Sequence, residues 1–179
     1  LEIDENPVSV KAKSRDFFWY SPVLKARLDH VTADFVVTPR TEVEVIEVLR
    51  VAYAHDVPVT VRGAGTGNYG QAMPLSGGII LHMKNMAAVK EIHPGRVIVE
   101  PGCLIKDCDA ATRAHSGQEL RMHPSTYTTA TIGGFVGGGS GGIGSCTWGV
   151  LRDLGNILRR RVVTAEAEPN VHEFTGEEL

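Results

Sequence analysis

The chain has 179 residues, of which 42% are hydrophobic, so it is long enough to bury a core, and one globular domain is the default expectation. Lys and Arg number 18 against 21 Asp and Glu, and the net charge of -3 argues against a nucleic-acid partner. Three cysteines without C-x-x-C spacing argue against a disulfide framework or a zinc site and favour reduced thiols in a cytoplasmic protein. No apolar run has the length of a membrane span.

The elements predicted from the pattern alternate between helix and strand. Residues 41–55 have apolar positions at helical spacing and open with Thr41 and Glu44 in a capping box. A β-branched strand follows at 57–62, and buried strands are expected at 77–83 and 96–102. The remaining predictions are a helix over 104–115, closed by Ser116 and Gly117, and two strands within 158–174 joined by a turn at 168–170.

Two segments concentrate the glycines. In the first, Gly65, Gly67 and Gly70 have the G-x-G-x-x-G spacing of a dinucleotide fingerprint and also the glycine spacing of a P-loop. The dinucleotide fold needs a helix at the third glycine and an acidic residue about 20 positions later, and the sequence shows neither. The P-loop needs Lys and then Ser or Thr, but Gln71 and Ala72 follow. Both familiar interpretations therefore fail.

What remains is an anion-binding loop built from backbone N–H groups, which glycines allow a phosphate to approach. No Asp or Glu occurs within 62–78 or within 124–152. The second segment, 133–149, carries nine glycines in 17 residues and is not expected to form a helix or a central strand. Two such loops would suit a ligand with two phosphates, and the competing interpretation is that both are flexible connections without chemistry.

The order of motifs resembles the flavin-binding domain of FAD-linked oxidases, of the vanillyl-alcohol oxidase or p-cresol methylhydroxylase type, which includes glycolate oxidase subunits and D-lactate dehydrogenases. The motifs are "VVTPRTEVEVIEVLRVAYAHDVPVTVRGAGTG", "GGIILHMKNM", "VIVEPGCLIKD", "ATIGG" and a glycine run that ends in "GVLRD". The resemblance implies an α+β fold of two α/β subdomains with FAD between them, one on a small parallel sheet and the other on a larger, mainly antiparallel sheet. It implies subdomain 1 at 34–101 and subdomain 2 at 102–179, after an N-terminal helical lead-in at 1–33.

Carried over by position, the resemblance gives three groups of cofactor-binding residues. One group resembles the loop around the FAD pyrophosphate, one the segment beside the ribityl chain and isoalloxazine, and one the second loop over the cofactor. The first group is Arg62, Gly63, Ala64, Gly65, Thr66, Gly67 and Asn68; the second is Pro124, Ser125, Thr131, Ile132, Gly133 and Gly134; the third is Gly138, Gly142, Ser145 and Gly149.

The chain departs from the family pattern at several positions of these loops. Phe135 stands where the family usually has Asn, "GGGSGG" replaces "ATNAGG", and Trp148 replaces a common Tyr. Family members that attach FAD through a loop histidine carry it at the position of Thr66, and threonine cannot form that bond. The resemblance therefore implies non-covalent FAD.

The resemblance implies an FAD-dependent oxidoreductase that acts on a small 2-hydroxy acid. The alternatives are a flavin domain of a cell-wall precursor reductase or of a molybdenum hydroxylase, and a non-catalytic nucleotide-binding module. His123 is more simply a histidine held in a turn than a base, so no catalytic residue is assigned, and His82 and His93 lack partners at metal-ligand spacing.

The end of the chain carries a further expectation. Thr175 and Glu178 have capping-box spacing, so a helix is expected to begin there, and the family's substrate domain is expected to be missing from this chain. By itself the chain is then expected to be inactive. An apolar patch left by the missing domain would favour a homodimer.

Overall fold

The computed structural model describes residues 1–178, which fold as two compact units that are described separately. The first unit contains residues 1–85 and 163–170, and the second contains 86–162 and 171–178. The domain boundaries expected at residues 33 and 101 stay predictions. Both units combine helices with β-sheet, as the expected α+β fold requires.

The first unit is built on a four-stranded sheet in the order β1-β2-β4-β3. Strands β2, β4 and β3 run parallel, and β1 pairs antiparallel with β2, so the small sheet is mixed rather than purely parallel. Its elements are β1 (Glu2–Asp4), α1 (Pro7–Lys13), α2 (Pro22–Leu28), β2 (Phe35–Thr38), α3 (Glu42–Ala54), β3 (Val59–Arg62) and β4 (Ile79–His82), with 3₁₀ turns at Phe18–Tyr20 and Met83–Asn85.

Local signals explain why the helices of this unit begin where they do. The Thr41 side chain accepts a hydrogen bond from the Glu44 N–H at 3.2 Å, which confirms the predicted cap of α3. The apolar face of α3 is buried as its spacing predicts.

The sequence did not predict β2, although this strand and β4 form the buried centre of the sheet, where Val36 and Ile80 are fully buried.

The second unit contains two two-stranded sheets and three helices. Strands β5 and β6 pair antiparallel, and β7 pairs with β8. The helix predicted over 104–115 is confirmed as α4, and Gly117 ends it in the left-handed conformation at φ 68°. The elements are β5 (Val89–His93), β6 (Arg96–Val99), α4 (Ile105–Ser116), α5 (Ile132–Gly137), α6 (Ser145–Trp148), β7 (Arg159–Val163) and β8 (Val171–Thr175), with a 3₁₀ turn at Gly176–Glu178.

The expectation that residues 133–149 form no helix is wrong. Helices α5 and α6 both lie in or at the edge of this segment. Thr131 caps α5 by accepting a hydrogen bond from the Gly134 N–H, and Phe135 buries its ring in the core of the unit. Burial and capping therefore outweigh the low helix propensity of glycine here.

The core of this unit is one cluster of apolar side chains below α4 and α5. Phe135 and Ile105 contribute to it from the two helices. Met122 and Ala130 come from the segment between α4 and α5, and Leu151 comes from the segment after α6, so both segments are fixed to the core although they carry little regular structure. The buried members are Ile105, Met122, Ala130, Phe135 and Leu151.

Candidate functional site

The first glycine loop, Arg62–Asn68, leaves the carboxyl end of β3 and is supported from below by the side chain of Arg62. That side chain is only 8% exposed, and its Nη1 donates to the Arg15 carbonyl at 2.7 Å. A Cβ atom placed on Gly65 would lie 2.1 Å from Arg62 Nη2, and Gly65 has φ +68°. Position 65 therefore requires glycine both for its backbone conformation and for the space that the guanidinium fills.

Most backbone N–H groups of this loop are left without an acceptor among the described residues. Among residues 1–178, the N–H groups from Ala64 through Asn68 donate to no described group, whereas the Gly67 carbonyl accepts from the Phe17 N–H at 2.8 Å. Consecutive unpaired backbone amides next to a buried cation can bind an anion. The loop thus fits a phosphate-bearing group such as the FAD pyrophosphate.

His82 lies at the same edge of the sheet, because it ends β4 and pairs in register with Arg62. Burial, followed by the charges of Arg62 and Lys84, lowers the pKa of His82 from 6.5 to about 4. Its Nδ1 has no hydrogen-bond partner among the described residues. His82 is therefore neutral near pH 7. Its place beside the glycine loop was not predicted from the sequence, where His82 was considered only as a metal ligand.

In the second unit, residues 131–134 form the capped start of α5. The Gly133 N–H donates to the Pro101 carbonyl at 2.8 Å, and a Cβ atom at this position would lie 2.7 Å from that carbonyl oxygen. The Ile132 N–H donates to the Cys103 carbonyl. These contacts fix the backbone that the sequence analysis assigned to the flavin, and they use Gly133 for close packing.

Pro124 and Ser125 follow a residue that pairs with the second glycine segment. His123 and Ile143 form an isolated antiparallel bridge with hydrogen bonds of 3.1 and 2.9 Å. A Cβ atom on Gly142 would lie 2.2 Å from the His123 carbonyl oxygen, so only glycine fits there. The structure thus brings Pro124 and Gly142 together.

His123 has a supporting role in this segment. Its Nδ1 lies 3.1 Å from the Pro124 carbonyl, and its ring contacts Tyr127 with centroids 4.8 Å apart. Tyr127 in turn donates to Asp109 Oδ2 at 2.8 Å, and this hydrogen bond raises the pKa of Tyr127. The segment is thereby tied to α4.

The remaining residues of the second loop are held by short-range contacts. Ser145 Oγ accepts from the Gly142 N–H at 2.7 Å, and Gly138 ends α5 by donating to the Gly134 carbonyl. Gly149 has φ +78°, and a Cβ atom there would meet the Asp153 carboxylate, which accepts from the Val150 N–H. Trp148 is half exposed, and the Arg121 guanidinium lies 4.8 Å from the centre of its ring.

The structure therefore groups the predicted site residues within each unit. In the second unit, the backbone of Pro124 lies against Gly142. Gly138 precedes Gly142 in the sequence and Gly149 follows it. The first unit holds residues 62–68, and the second holds Pro124, Ser125, Thr131, Ile132, Gly133, Gly134, Gly138, Gly142, Ser145 and Gly149.

Within residues 1–178, no group of three His, Cys, Asp or Glu side chains is arranged to hold a metal ion. The helices of this part of the chain are all too short or too polar to cross a bilayer.

The class of protein follows from comparison with known families. Residues 33–169 match the family described as FAD binding domain, so the match covers both glycine segments. The chain belongs to this family of FAD-linked oxidoreductase domains.

Individual relatives agree with this assignment, and a solved structure shares the fold. The glycolate oxidase subunit GlcD of Bacillus subtilis is 34% identical over 137 residues, which is 75% of this chain and 28% of that protein. A D-lactate dehydrogenase of Archaeoglobus fulgidus is 34% identical over 132 residues, 73% of this chain and 29% of that protein. The structure of an alkyldihydroxyacetonephosphate synthase superposes with a TM-score of 0.79 at 17% identity, covering 96% of this chain and 32% of that one. The chain spans less than a third of the length of the curated relatives it matches.

Proposed function

We propose that the loop Arg62–Asn68 binds the pyrophosphate of FAD, and that the complete protein oxidises a small 2-hydroxy acid. The observation that carries the cofactor assignment is the row of unpaired amides above the buried Arg62 guanidinium. An anion there gains several N–H donors and a nearby positive charge at once. The family match supports FAD as the source of that anion.

We propose further cofactor-binding residues within the second unit. Pro124 and Ser125 and the start of α5 would lie beside the ribityl chain and the isoalloxazine, and Gly138, Gly142, Ser145 and Gly149 would complete the second loop. The capped, packed backbone around Thr131 would orient the ring without large reorganisation. When bound, FAD supplies the capacity to accept a hydride, and the protein supplies binding, orientation and electrostatics.

We propose that FAD is held without a covalent bond. Thr66 occupies the loop position at which histidine-linked family members attach the flavin, and a threonine hydroxyl cannot form that link. Acid precipitation of the FAD-loaded chain should therefore release all of the flavin into the supernatant. Flavin that remains with the precipitated polypeptide would contradict this assignment.

The proposed substrate class rests on the named relatives, glycolate oxidase and D-lactate dehydrogenase. We assign the binding of the hydroxy acid and the proton transfer to parts of the full-length relatives that this chain does not match, and we expect no turnover by this chain alone. Anaerobic bleaching of FAD by lactate or glycolate, at a rate proportional to the concentration of this chain, would overturn that assignment. A homodimer and a cytoplasmic location stay predictions.

A titration with a matched pair of variants tests the cofactor site. The chain should bind FAD more tightly than FMN, because the loop offers more donors than one phosphate uses. Gly65→Ala should abolish this preference, since the added methyl group displaces the Arg62 guanidinium. Gly95→Ala is the control, because Gly95 has a similar φ of +75° but no neighbouring atom within 4 Å of the added carbon. Equal affinity of the unaltered chain for FAD and FMN would count against the pyrophosphate assignment.

A further inference from the structure

The segment Ser14–Phe18, here called the N-terminal clamp, contacts the glycine loop although it lies before the region that matches the family. The Phe17 N–H donates to the Gly67 carbonyl at 2.8 Å, and the Arg15 carbonyl accepts from Arg62 Nη1 at 2.7 Å. One contact holds the far end of the loop, and the other holds the side chain on which the loop rests. Both therefore act on the conformation that presents the free amides.

The clamp is itself fixed to the core of the first unit. Ser14 is fully buried; its Oγ donates to the Val10 carbonyl at 2.8 Å and accepts from the Ala33 N–H at 2.9 Å. Phe18 is also fully buried. A segment anchored at both ends can resist displacement, so its hydrogen bonds to the loop act as a support.

Asp16 lies at the centre of the clamp, and a segment that only supported the fold would not need a buried carboxylate there. Asp16 is only 4% exposed; Oδ1 accepts from the Phe18 N–H at 2.8 Å, while Oδ2 has no partner among the described residues. Oδ2 lies 3.6 Å from the position that a Gly67 side chain would occupy. A carboxylate this close to an anion-binding loop opposes the ligand unless it performs another task.

That task follows from the positive charge of Arg62, which lies near Gly65 of the same loop. The Arg62 guanidinium is buried beneath Gly65 and contacts only backbone carbonyl oxygens among the described residues. Burial lowers the pKa of Arg62, and the charge of Asp16 opposes that effect. Two opposite charges thus lie beneath the same loop, one near Gly65 and one near Gly67, and removing one would leave the other uncompensated.

We propose that the N-terminal clamp is part of the FAD site, and that Asp16 is a positioning residue that keeps the Arg62 guanidinium beneath Gly65 so that the loop presents its amides. The inference rests on the proposed function, because it takes Arg62–Asn68 as the pyrophosphate loop. The positioning role and simple electrostatic repulsion predict opposite changes in FAD affinity when the charge of Asp16 is removed. Removing the charge of Asp16 should weaken FAD binding, whereas an Asp16 that only repelled the phosphates would give tighter binding when neutralised.

The test compares two Asp→Asn variants of this chain. Asp16→Asn keeps an acceptor for the Phe18 N–H but removes the buried charge, and we expect its FAD affinity, measured by flavin fluorescence, to fall about tenfold or more. Asp56→Asn is the matched control, because Asp56 is exposed, precedes β3 at the end of the strand opposite the loop, and has a φ of 53° that asparagine also adopts. Its FAD affinity should stay within about twofold of the unaltered chain.

Hydrogen exchange without FAD provides the readout that separates a clamp from general destabilisation. Asp16→Asn should accelerate exchange in residues 62–70 while the amides of β2 and β4 keep their protection. Faster exchange throughout the sheet would show that Asp16 only stabilises the fold, and unchanged or tighter FAD binding would overturn its positioning role. Failure of the unaltered chain to bind FAD would contradict the proposed function, whereas the exchange comparison would still decide whether the clamp orders the loop.

A second pair of variants covers the case in which Asp16→Asn does not fold. Phe17→Pro removes the N–H that holds the Gly67 carbonyl, and we expect weaker FAD binding and faster exchange in the loop. Val23→Pro is its control, because Val23 lies in the first turn of α2, where proline is tolerated and where the N–H has no partner among the described residues. Equal FAD affinity in the two proline variants would overturn the clamp.

Discussion

The two glycine-rich regions use glycine for different physical purposes. In the first, Arg62–Asn68, the backbone amides stay unpaired, and the loop rests on buried charged side chains. In the second, Gly133 and Gly142 lie against backbone carbonyl groups of Pro101 and His123, where a side chain would not fit. The first region keeps its backbone available for a ligand, and the second uses close packing to hold its own shape. Glycine content alone therefore does not identify a phosphate loop.

The largest expected effect concerns the support of the first loop. Arg62→Ala removes the guanidinium beneath Gly65 and leaves the Arg15 carbonyl without its donor. We expect FAD affinity to fall about 100-fold, because a charge-assisted contact and the loop geometry are lost together, at about 3 kcal/mol. Isothermal titration calorimetry would measure the change, with the exposed Arg50→Ala as the control. An affinity within a few-fold of the unaltered chain would mean that the loop is not held by charge.

The second prediction addresses packing in the second region, with two glycines of the same helix. Gly133→Ala places a methyl group against Pro101 and should lower the free energy of unfolding by about 2–3 kcal/mol. Gly137→Ala meets no atom within 4 Å and should raise it by about 0.5–1 kcal/mol, since alanine favours helix. Urea denaturation of both variants gives the comparison. Equal effects at the two positions would contradict the packing argument.

The sequence predicted most of what depends on local pattern. The cap of α3 at Thr41, the strand β3 and the buried strand β4 follow from residue types over short windows, and the structure confirms them. Helix α5 was not predicted, because its glycine content outweighs the signals from Thr131 and Phe135 when tertiary burial is unknown.

Local sequence pattern predicts even less of the candidate site. Residues 62–68 could be proposed from spacing and family resemblance, but the support beneath them could not. Asp16 is distant in sequence from Arg62, and the Arg15–Arg62 hydrogen bond joins residues 47 positions apart. Nothing in the segment "SRDFFWY" marks it as part of a phosphate loop. The placement of His82 beside Arg62 likewise follows from strand register, which sequence does not specify.

The third prediction uses pH to test the role of charge in the first region. Burial lowers the pKa of His82 to about 4 from an unfolded value of 6.5. The unfolded chain therefore binds a proton at a higher pH than the folded chain does, so stability is complete above pH 6.5 and is lost as the pH falls toward 4. Allowing for partial exposure, we expect a loss of about 2 kcal/mol over this interval.

A variant separates His82 from the other titrating groups in that experiment. His82→Gln should flatten the dependence of the unfolding free energy on pH between 4.5 and 6.5, because it removes the group that takes up the proton. Carboxylates with lowered pKa values, such as Glu44 and Glu91 with an ordinary value of 4.5, lose their contribution below this window and do not produce the slope within it. A slope that is unchanged in His82→Gln would show that the proton uptake occurs elsewhere. His93→Gln is the control, since His93 is an exposed histidine paired with Glu91.

The smallest expected effect tests whether the second region depends on any polar contact at all. Tyr127→Phe removes the 2.8 Å hydrogen bond to Asp109 but keeps the ring that contacts His123. Asp109 still accepts from Arg113 and from the Leu120 N–H, so its buried carboxylate is not left unpaired. We therefore expect the free energy of unfolding to fall by about 1 kcal/mol, near the value of one hydrogen bond.

Thermal denaturation of Tyr127→Phe beside the exposed control Tyr53→Phe measures this contribution. FAD affinity should change less than twofold, because in the second region the backbone is held mainly by packing around Gly133 and Gly142. A loss of FAD affinity comparable with that of Arg62→Ala would reverse the comparison. It would show that the segment after His123 is held in a binding conformation by the Asp109 carboxylate, as the first loop is held by Arg62.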